Sequence, residues 1–143
     1  MRAVLDANIF ASALMRPQGP PGQILGLLLR QRAFELVMSP PILEEVGRVL
    51  HYPRVRKRIA ATDEELDLWL AALDILAVPV EGSPQVRAVA ADPEDDKYLA
   101  AAMEGMAEFV VSGDEHLLSL GTYEGIRIVT ARAFLEVLKS RVD

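Results

Sequence analysis

Several carboxylates in this sequence stand beside short apolar runs, where folding would bring them to the edge of a β-sheet. Asp6 and Asp114 each come shortly after such a run, which has the pattern of a buried strand. Three more acids precede or begin a helical pattern, and these are Asp92, Asp95 and Asp96. Ligands of open parallel sheets bind beyond the carboxyl ends of the strands, so these positions predict a ligand site.

Helical spacing identifies one further acid that can face this edge. In the predicted helix 41–51 the apolar stripe includes Ile42 and Val49, and Glu45 borders it. Glu44 points to the opposite side of the same helix. We therefore expect Glu45 to reach inward and Glu44 to lie in solvent.

The same spacing ranks the acids of the predicted helix 94–103. Asp95 lies four residues before Leu99 and shares its face, whereas Asp96 sits to one side. Lys97 is expected to point away from that face. Asp95 is therefore the first candidate for the site, and Asp96 is the second.

Carboxylates that gather in one place must be neutralised. Two of them about 4 Å apart repel by about 4 kcal/mol at an effective dielectric near 20, so a fold that collects several implies a cation. Oxygen ligands suit Mg²⁺ or Mn²⁺ rather than zinc, and the sequence has no Cys to serve as a nucleophile. Each acid taken singly is explained as well by a turn or a helix cap, so only their combination indicates a site.

The elements that would hold these acids alternate between short strands and longer helices. Strands are predicted at residues 3–5, 34–38, 77–80, 109–111 and 126–129. Helices are predicted at residues 23–32, 41–51, 62–76, 94–103 and 131–141. Thr62 and Glu65 have the spacing of a capping box at the start of the third helix. Strands separated by helices favour parallel pairing, hence a three-layer α/β fold with a mostly parallel central sheet.

Length and composition fit a single domain over residues 1–143. No apolar stretch approaches the roughly 18 residues that a membrane span needs, and no signal peptide is readable before Asp6. The absence of Cys fits a reducing compartment, so a soluble cytoplasmic protein is expected. The net charge of −6 argues against a protein that coats nucleic acid by bulk electrostatics, but not against an enzyme with an acidic centre.

Four motifs in order resemble those of the PIN-domain nucleases, and the resemblance extends from Met1 to about Leu138. The motifs are Leu5-Asp6-Ala7-Asn8, Ser39 with Ile42-Leu43-Glu44-Glu45-Val46, Asp92-Pro93-Glu94-Asp95-Asp96-Lys97-Tyr98-Leu99-Ala100-Ala101-Ala102 and Val111-Ser112-Gly113-Asp114. The sequence is most similar to the bacterial and archaeal branch described as toxins of toxin–antitoxin pairs. It departs from the family at Ala7, where Thr or Ser is frequent, and at Ser112, where Thr is commoner.

The resemblance implies a PIN-like α/β/α fold and a metal-dependent ribonuclease that hydrolyses RNA phosphodiester bonds. It places the ligands of Mg²⁺ or Mn²⁺, which are also the catalytic residues, at Asp6, Glu45, Asp95 and Asp114. Supporting positions are Asn8 and Ser112, with Asp92 and Asp96 as further candidates. The implied partners are an RNA substrate and an antitoxin protein, no membrane is involved, and a homodimer remains open.

A basic stretch is the candidate for contact with RNA. Its basic residues are Arg48, His51, Arg54, Arg56, Lys57 and Arg58, and the densest part is the set Arg54, Arg56, Lys57 and Arg58. They would hold the phosphate backbone without selectivity for sequence. The alternatives are a solvated surface or a surface that contacts an antitoxin. His51 and His116 are expected in solvent rather than at a leaving group.

Other classes of protein fit parts of the pattern. An aspartate-based phosphatase usually needs a second Asp two residues after the first, and position 8 is Asn. A receiver domain needs a phosphate-accepting Asp near mid-chain, where positions 50–60 are basic instead. A PIN-like scaffold that binds RNA or protein without cleavage is a further alternative, although it has no need to keep four mutually repelling acids.

Overall fold

One mixed sheet organises the chain, and the computed structural model describes residues 1–82 and 93–141. The strands in these ranges are β1 (Arg2–Leu5), β2 (Glu35–Met38), β3 (Val78–Pro79), β4 (Phe109–Val111), β5 (Thr122–Tyr123) and β6 (Ile126–Val129). Their order across the sheet is β3-β2-β1-β4-β6-β5. All neighbouring strands are parallel except β5 and β6.

Helices cover this sheet. The described residues contain α1 (Ala7–Met15), α2 (Pro20–Gln31), α3 (Pro40–Leu50), α4 (Pro53–Arg56), α5 (Asp63–Leu76), α6 (Asp96–Glu104), α7 (Glu115–Leu118) and α8 (Ala131–Arg141). A 3₁₀ turn at Pro93–Asp95 leads into α6. Helix α1 packs against α2 and α3, α8 packs against α2, and α6 packs against the central strands. The three-layer α/β/α arrangement with a mostly parallel sheet confirms the predicted fold class.

The two central strands bring distant parts of the sequence together. Ala3, Val4 and Leu5 of β1 are fully buried, as is Val110 of β4. Leu5 pairs with Val111 in the parallel register, so both strands end at the same level of the sheet. The residues that follow these two strands therefore emerge side by side at one edge.

Helix α1 is the main element that the sequence pattern did not predict. Five of its nine residues are buried, namely Ala7, Ile9, Phe10, Ala11 and Ala13. A helix that is apolar around most of its circumference has no clear amphipathic period, which is why periodicity did not find it. Its start is nevertheless set by the sequence, because Asp6 accepts hydrogen bonds from the first free N–H groups of the helix.

The short elements α4, α7 and β5 were not predicted either. The longer helices differ from the prediction mainly at their starts. Helix α2 begins at Pro20 rather than at residue 23, and α3 begins at Pro40 after the N-cap Ser39. Proline suits a first helical turn because its missing N–H has no partner there in any case. The capping box of Thr62 and Glu65 forms as predicted at the start of α5. Within the described ranges no helix is long and apolar enough to cross a membrane.

Candidate functional site

Asp6 lies at the carboxyl end of β1 in a buried position. The whole residue is only 3% exposed. Its backbone N–H donates to the carbonyl of Val111 at 3.1 Å. One carboxylate oxygen, Oδ1, accepts from the N–H groups of Asn8 at 2.8 Å and Ile9 at 3.2 Å. The N-cap of α1 therefore fixes the carboxylate at the sheet edge. The predicted supporting residue Asn8 contributes its backbone, and its side chain is exposed.

Ser112 connects Asp6 to Asp114. Its fully buried hydroxyl donates to Oδ2 of Asp6 and accepts from the N–H of Asp114 at 3.0 Å. The Asp114 carboxylate accepts in turn from the N–H of His116 at 2.7 Å, as the N-cap of α7. One hydroxyl thus orients the first acid and the backbone that carries the second.

The electrostatics of Asp6 reflect this confined position. Burial raises the pKa of the Asp6 carboxyl above its ordinary value, and hydrogen bonds from Ser112, Ile9 and Asn8 oppose this only in part. The charge of Asp114 raises the same pKa further. The ionised form of Asp6 is therefore destabilised by its surroundings, and a cation placed beside it would relieve both burial and repulsion.

Tyr98 is a site residue that the sequence pattern did not identify. This buried side chain of α6 donates its phenolic hydrogen to Glu45 on α3, and its oxygen accepts from the N–H of Ala7 at 3.2 Å. Burial and the bond to Glu45 raise the pKa of Tyr98 far above its ordinary value, so the phenol keeps its proton. The hydroxyl links Glu45 to the start of α1, directly after Asp6.

Glu45 faces inward as predicted, but a cation already lies beside it. Lys97 Nζ is 2.8 Å from its Oε2, and an Arg48 nitrogen is 3.8 Å from its Oε1. Burial acts to raise the pKa of Glu45, but hydrogen bonds from Lys97 and Tyr98 and the two positive charges hold it below its ordinary value. Glu44 lies in solvent and pairs only with Arg48 among the described residues.

The expectation that Lys97 points away from the site is wrong. Its side chain is 17% exposed and crosses from α6 to Glu45 on α3, with the ammonium 5.5 Å from the centre of the Tyr98 ring. Helix α6 begins at Asp96, two residues later than predicted, so Lys97 belongs to the first turn. The lysine side chain is long and flexible, so the attraction of a half-buried carboxylate orients its ammonium group more strongly than the direction of its Cα–Cβ bond does.

The third acidic group is described in part. Asp95 is the N-cap residue of α6 and the last residue of the 3₁₀ turn, and its Oδ2 is buried from solvent. Asp96 is the first residue of the helix and is half-buried. Asp92 lies outside the described residues.

The four predicted ligands do not form one compact group in the described structure. Across residues 1–82 and 93–141 no three acidic or histidine side chains lie close enough together to hold one ion. Hydrogen bonds link Asp6 with Asp114 through Ser112, and link Glu45 with the start of α1 through Tyr98. The assignment of all four acids to one metal centre therefore stays a prediction.

The basic stretch divides into paired and unpaired cations. Arg56 donates to the carbonyls of Ile59 and Ala61 and to Asp63, so it closes the loop before α5. The ring of His51 lies 2.7 Å from the carbonyl of Gly47. Exposed side chains without such contacts in the described chain are Arg54, Lys57 and Arg58.

The comparison with protein families bears on these residues. A family model described as a PIN domain matches residues 2–116. The chain belongs to the PIN domain family. An uncharacterized protein of Methanocaldococcus jannaschii is 32% identical over 120 residues, which are 84% of this chain and 75% of the relative. The match to the PIN domain spans all four predicted ligands. PIN domains are generally metal-dependent nucleases, so the fold supports a hydrolase.

Proposed function

We propose that this PIN domain is an endoribonuclease that depends on Mg²⁺ or Mn²⁺, with Asp6, Glu45, Asp95 and Asp114 as the metal ligands and catalytic residues. The observation that carries the proposal is the Ser112 bridge between Asp6 and the backbone of Asp114. It holds two acids at the carboxyl ends of the two central strands, the place where parallel sheets bind ligands.

The donor set fits a hard divalent cation. All four side chains offer carboxylate oxygens, which Mg²⁺ and Mn²⁺ prefer. Asp6 is buried beside a like charge and its pKa is raised, so ionised Asp6 has more to gain from a cation than an exposed carboxylate would. Asp95 adds a carboxylate oxygen that is buried from solvent and can serve as a metal ligand. When bound, such an ion lowers the pKa of a water molecule and stabilises charge on phosphate oxygens.

The chain's own residues prepare this chemistry by orientation. Ser112 and the N–H groups of Asn8 and Ile9 fix the Asp6 carboxylate. Tyr98, held as a protonated phenol, fixes the Glu45 carboxylate. Preorganised groups lose little freedom when they take up their catalytic positions, and this lowers the cost of reaching the transition state.

A role as the toxin of a type II toxin–antitoxin pair is the finer part of the proposal. It rests on the similarity of the four motifs to that branch of the PIN domains. The physiological test is expression of the wild-type chain and of Asp6→Asn in a bacterial host. The proposal expects growth arrest with the wild type, no arrest with the variant, and rescue by the protein encoded next to this chain. Growth of both cultures at the same rate contradicts a toxin.

The activity itself is tested with labelled single-stranded RNA, Mn²⁺ and EDTA. We expect wild-type cleavage in Mn²⁺ and none in EDTA. Asp6→Asn should keep the fold, because the side chains are nearly the same size, and lose at least about 100-fold in rate, as loss of one key electrostatic group does in other enzymes. Glu44→Gln is the matched control, because Glu44 points into solvent. Cleavage by Asp6→Asn at the wild-type rate would exclude the proposal.

A PIN-like scaffold without catalysis is the second candidate. It is favoured by the Lys97–Glu45 ion pair, which neutralises one of the four acids without a metal. Metal binding by the wild type together with no cleavage of RNA or DNA by any form would support this alternative.

A further inference from the structure

A groove beside α1 is separate from the acidic edge. It has a volume of about 580 Å³ and lies between the end of α1, the start of α2 and the segment after α4. Its lining combines two arginines with small and apolar groups: Ser12, Met15, Arg16, Gly19, Pro20, Pro21 and Arg58. None of the four predicted metal ligands lines it.

The positive charge of the groove is not neutralised. Arg16 and Arg58 are exposed, and in the part of the chain that the structure describes their side chains make no hydrogen bond or ion pair. Arg48 and Arg56 differ, because each of them forms an ion pair with a carboxylate. Two guanidinium groups that share one groove and lack internal partners favour an anionic ligand.

A continuous polar stripe joins this groove to the acidic edge. Asn8 and Ser12 are four residues apart and lie on one face of α1, and Arg16, the C-cap residue of this helix, follows four residues after Ser12. This face is open to solvent at Asn8 and Arg16, whereas most of the remaining helix is buried. Asp6 is the N-cap of α1, and at a rise of about 1.5 Å per residue Arg16 lies about 15 Å farther along the helix axis.

We propose that the groove at Arg16 and Arg58 binds backbone phosphates of single-stranded RNA at a distance from the bond that is cut. The inference rests on the proposed function and extends it by naming the path of the substrate, along the Asn8–Ser12–Arg16 stripe of α1. Both arginines contact phosphate, and the apolar surfaces of Met15, Pro20 and Pro21 lie against sugars and bases. This path explains how a chain with a net charge of −6 can hold a polyanion.

Nucleic acid fits the groove better than an acidic peptide does. The groove and the candidate active site lie at opposite ends of α1, which suits a ligand that repeats a negative charge along its length. The carboxylates at the other end of α1 would repel an acidic peptide that extended past them. The phosphates of RNA, in contrast, would be attracted by the metal ions that these carboxylates hold in the proposed reaction.

The test measures binding of a labelled single-stranded RNA of mixed sequence by fluorescence anisotropy in EDTA, over a series of salt concentrations. The full chain is compared with Arg16→Ala, Arg58→Ala and the double variant, after circular dichroism has shown that each is folded. Each lost phosphate contact should reduce the slope of log affinity against log salt by about 0.7. The double variant should therefore lose about twice that slope and bind at least tenfold more weakly. Arg30→Ala is the control, because Arg30 is an exposed arginine at the other end of α2.

The outcomes separate this inference from the proposed activity. An unchanged slope in the double variant, or an equal loss in Arg30→Ala, overturns the groove. Loss of binding to a poly-glutamate peptide with unchanged RNA binding overturns it in favour of an acidic protein partner. RNA cleavage in Mn²⁺ is measured in parallel with the same proteins. If the salt slope depends on the two arginines but the protein cuts no RNA, then the groove binds RNA and the proposed nuclease activity is excluded. If the protein cuts RNA and the slope is unchanged in the double variant, then the nuclease activity is supported and the groove proposal is excluded.

Discussion

At the scale of single residues, two buried hydroxyls position the inner carboxylates. Ser112 donates to Oδ2 of Asp6 and Tyr98 donates to Oε2 of Glu45, so each hydroxyl holds one carboxylate oxygen in place. A hydrogen bond to the ionised form favours that form, and both donors therefore help to keep a carboxylate charged in a partly buried place. The first contact ties the end of β1 to the end of β4, and the second ties α6 to α3.

Lys97 supplies a prediction about metal affinity. Lys97→Met keeps the length of the side chain and removes the ammonium 2.8 Å from Glu45. Without metal the variant should lose about 1–2 kcal/mol of unfolding free energy, because a half-buried carboxylate loses its partner. It should bind Mn²⁺ several-fold more tightly, since the ion no longer competes with the ammonium for Glu45.

Urea unfolding in EDTA and calorimetric titration with Mn²⁺ measure the two effects. Lys139→Met is the control, because Lys139 lies exposed on α8. Weaker Mn²⁺ binding by Lys97→Met would contradict competition and would indicate that Lys97 organises Glu45 for the ion.

Residues of the site were predictable where they follow strands and unpredictable where they depend on packing. Asp6 and Asp114 end up linked through Ser112 because β1 and β4 are neighbours, which the alternation of strands and helices already favours. Tyr98 and Lys97 reach Glu45 only because α6 lies beside α3. The helical spacing predicts on which face of α6 these two side chains lie, but it does not predict which helix packs against that face.

At the scale of elements, helix starts follow capping residues and helix packing follows small residues. Asp6, Ser39, Thr62 and Asp114 each cap a helix with a side-chain oxygen. The capping residues of α5 predict its start at Thr62 from the sequence. Helix α1 is not predicted, because its apolar residues surround the helix and leave no amphipathic periodicity. Local chemistry thus decides where a helix begins even when its pattern conceals that it is one.

Gly22 in α2 permits a close approach of the preceding loop. A Cβ at this position would lie 2.1 Å from the carbonyl oxygen of Pro17, which is backbone and cannot turn aside. Gly22→Ala should therefore destabilise the protein by about 1–3 kcal/mol, as overpacking does. Gly47→Ala in α3 is the matched substitution, because nothing lies within 4 Å of its Cβ. It should stabilise by about 0.5–1 kcal/mol through helix propensity. Urea unfolding compares the two, and equal stabilities would refute the close approach.

The capping box of α5 predicts a pH effect. The Glu65 carboxylate accepts from the N–H of Thr62 at 2.9 Å, and this bond holds the pKa of Glu65 below its ordinary value of 4.5. A depressed folded pKa gives stability that is present above the unfolded value and is lost as pH falls through the folded value. Glu65→Gln should therefore lose less stability than the wild type on acidification below about pH 4.5.

Thermal melts from pH 7 to pH 3 measure this difference. Glu64→Gln is the control, because it removes an exposed carboxylate one position away from the box. If Glu64→Gln and Glu65→Gln respond alike, then the effect belongs to the net charge of the helix and not to the cap.

At the scale of the whole molecule, the carboxyl edge of the sheet concentrates negative charge that the fold must tolerate. The chain carries a net charge of −6, and Asp6 and Asp114 lie at this edge, linked through Ser112. A divalent ion bound there would stabilise the folded state alone, because the unfolded chain does not hold these residues together.

Metal should therefore raise the melting temperature. At an ion concentration about 100 times the dissociation constant, linkage gives about 2.7 kcal/mol, which corresponds to a shift of roughly 5–10 °C for a chain of this size. Scans in EDTA, Mg²⁺ and Mn²⁺ measure it, and Asp6→Asn, with one carboxylate fewer, should show a smaller shift. The same melting temperature in all three conditions would count against a preformed metal site.

The pairing of β1 with β4 also has a consequence for synthesis on the ribosome. Asp6 is made before the hydroxyl that orients it, which belongs to Ser112, 106 residues later. A nascent chain that has not yet released β4 has neither this donor nor Asp114, and it also lacks one of the two strands with which β1 pairs. Truncated products and stalled chains that end before β4 therefore carry the first acid without its partners. Translation itself withholds the complete site until β4 and Ser112 have left the exit tunnel.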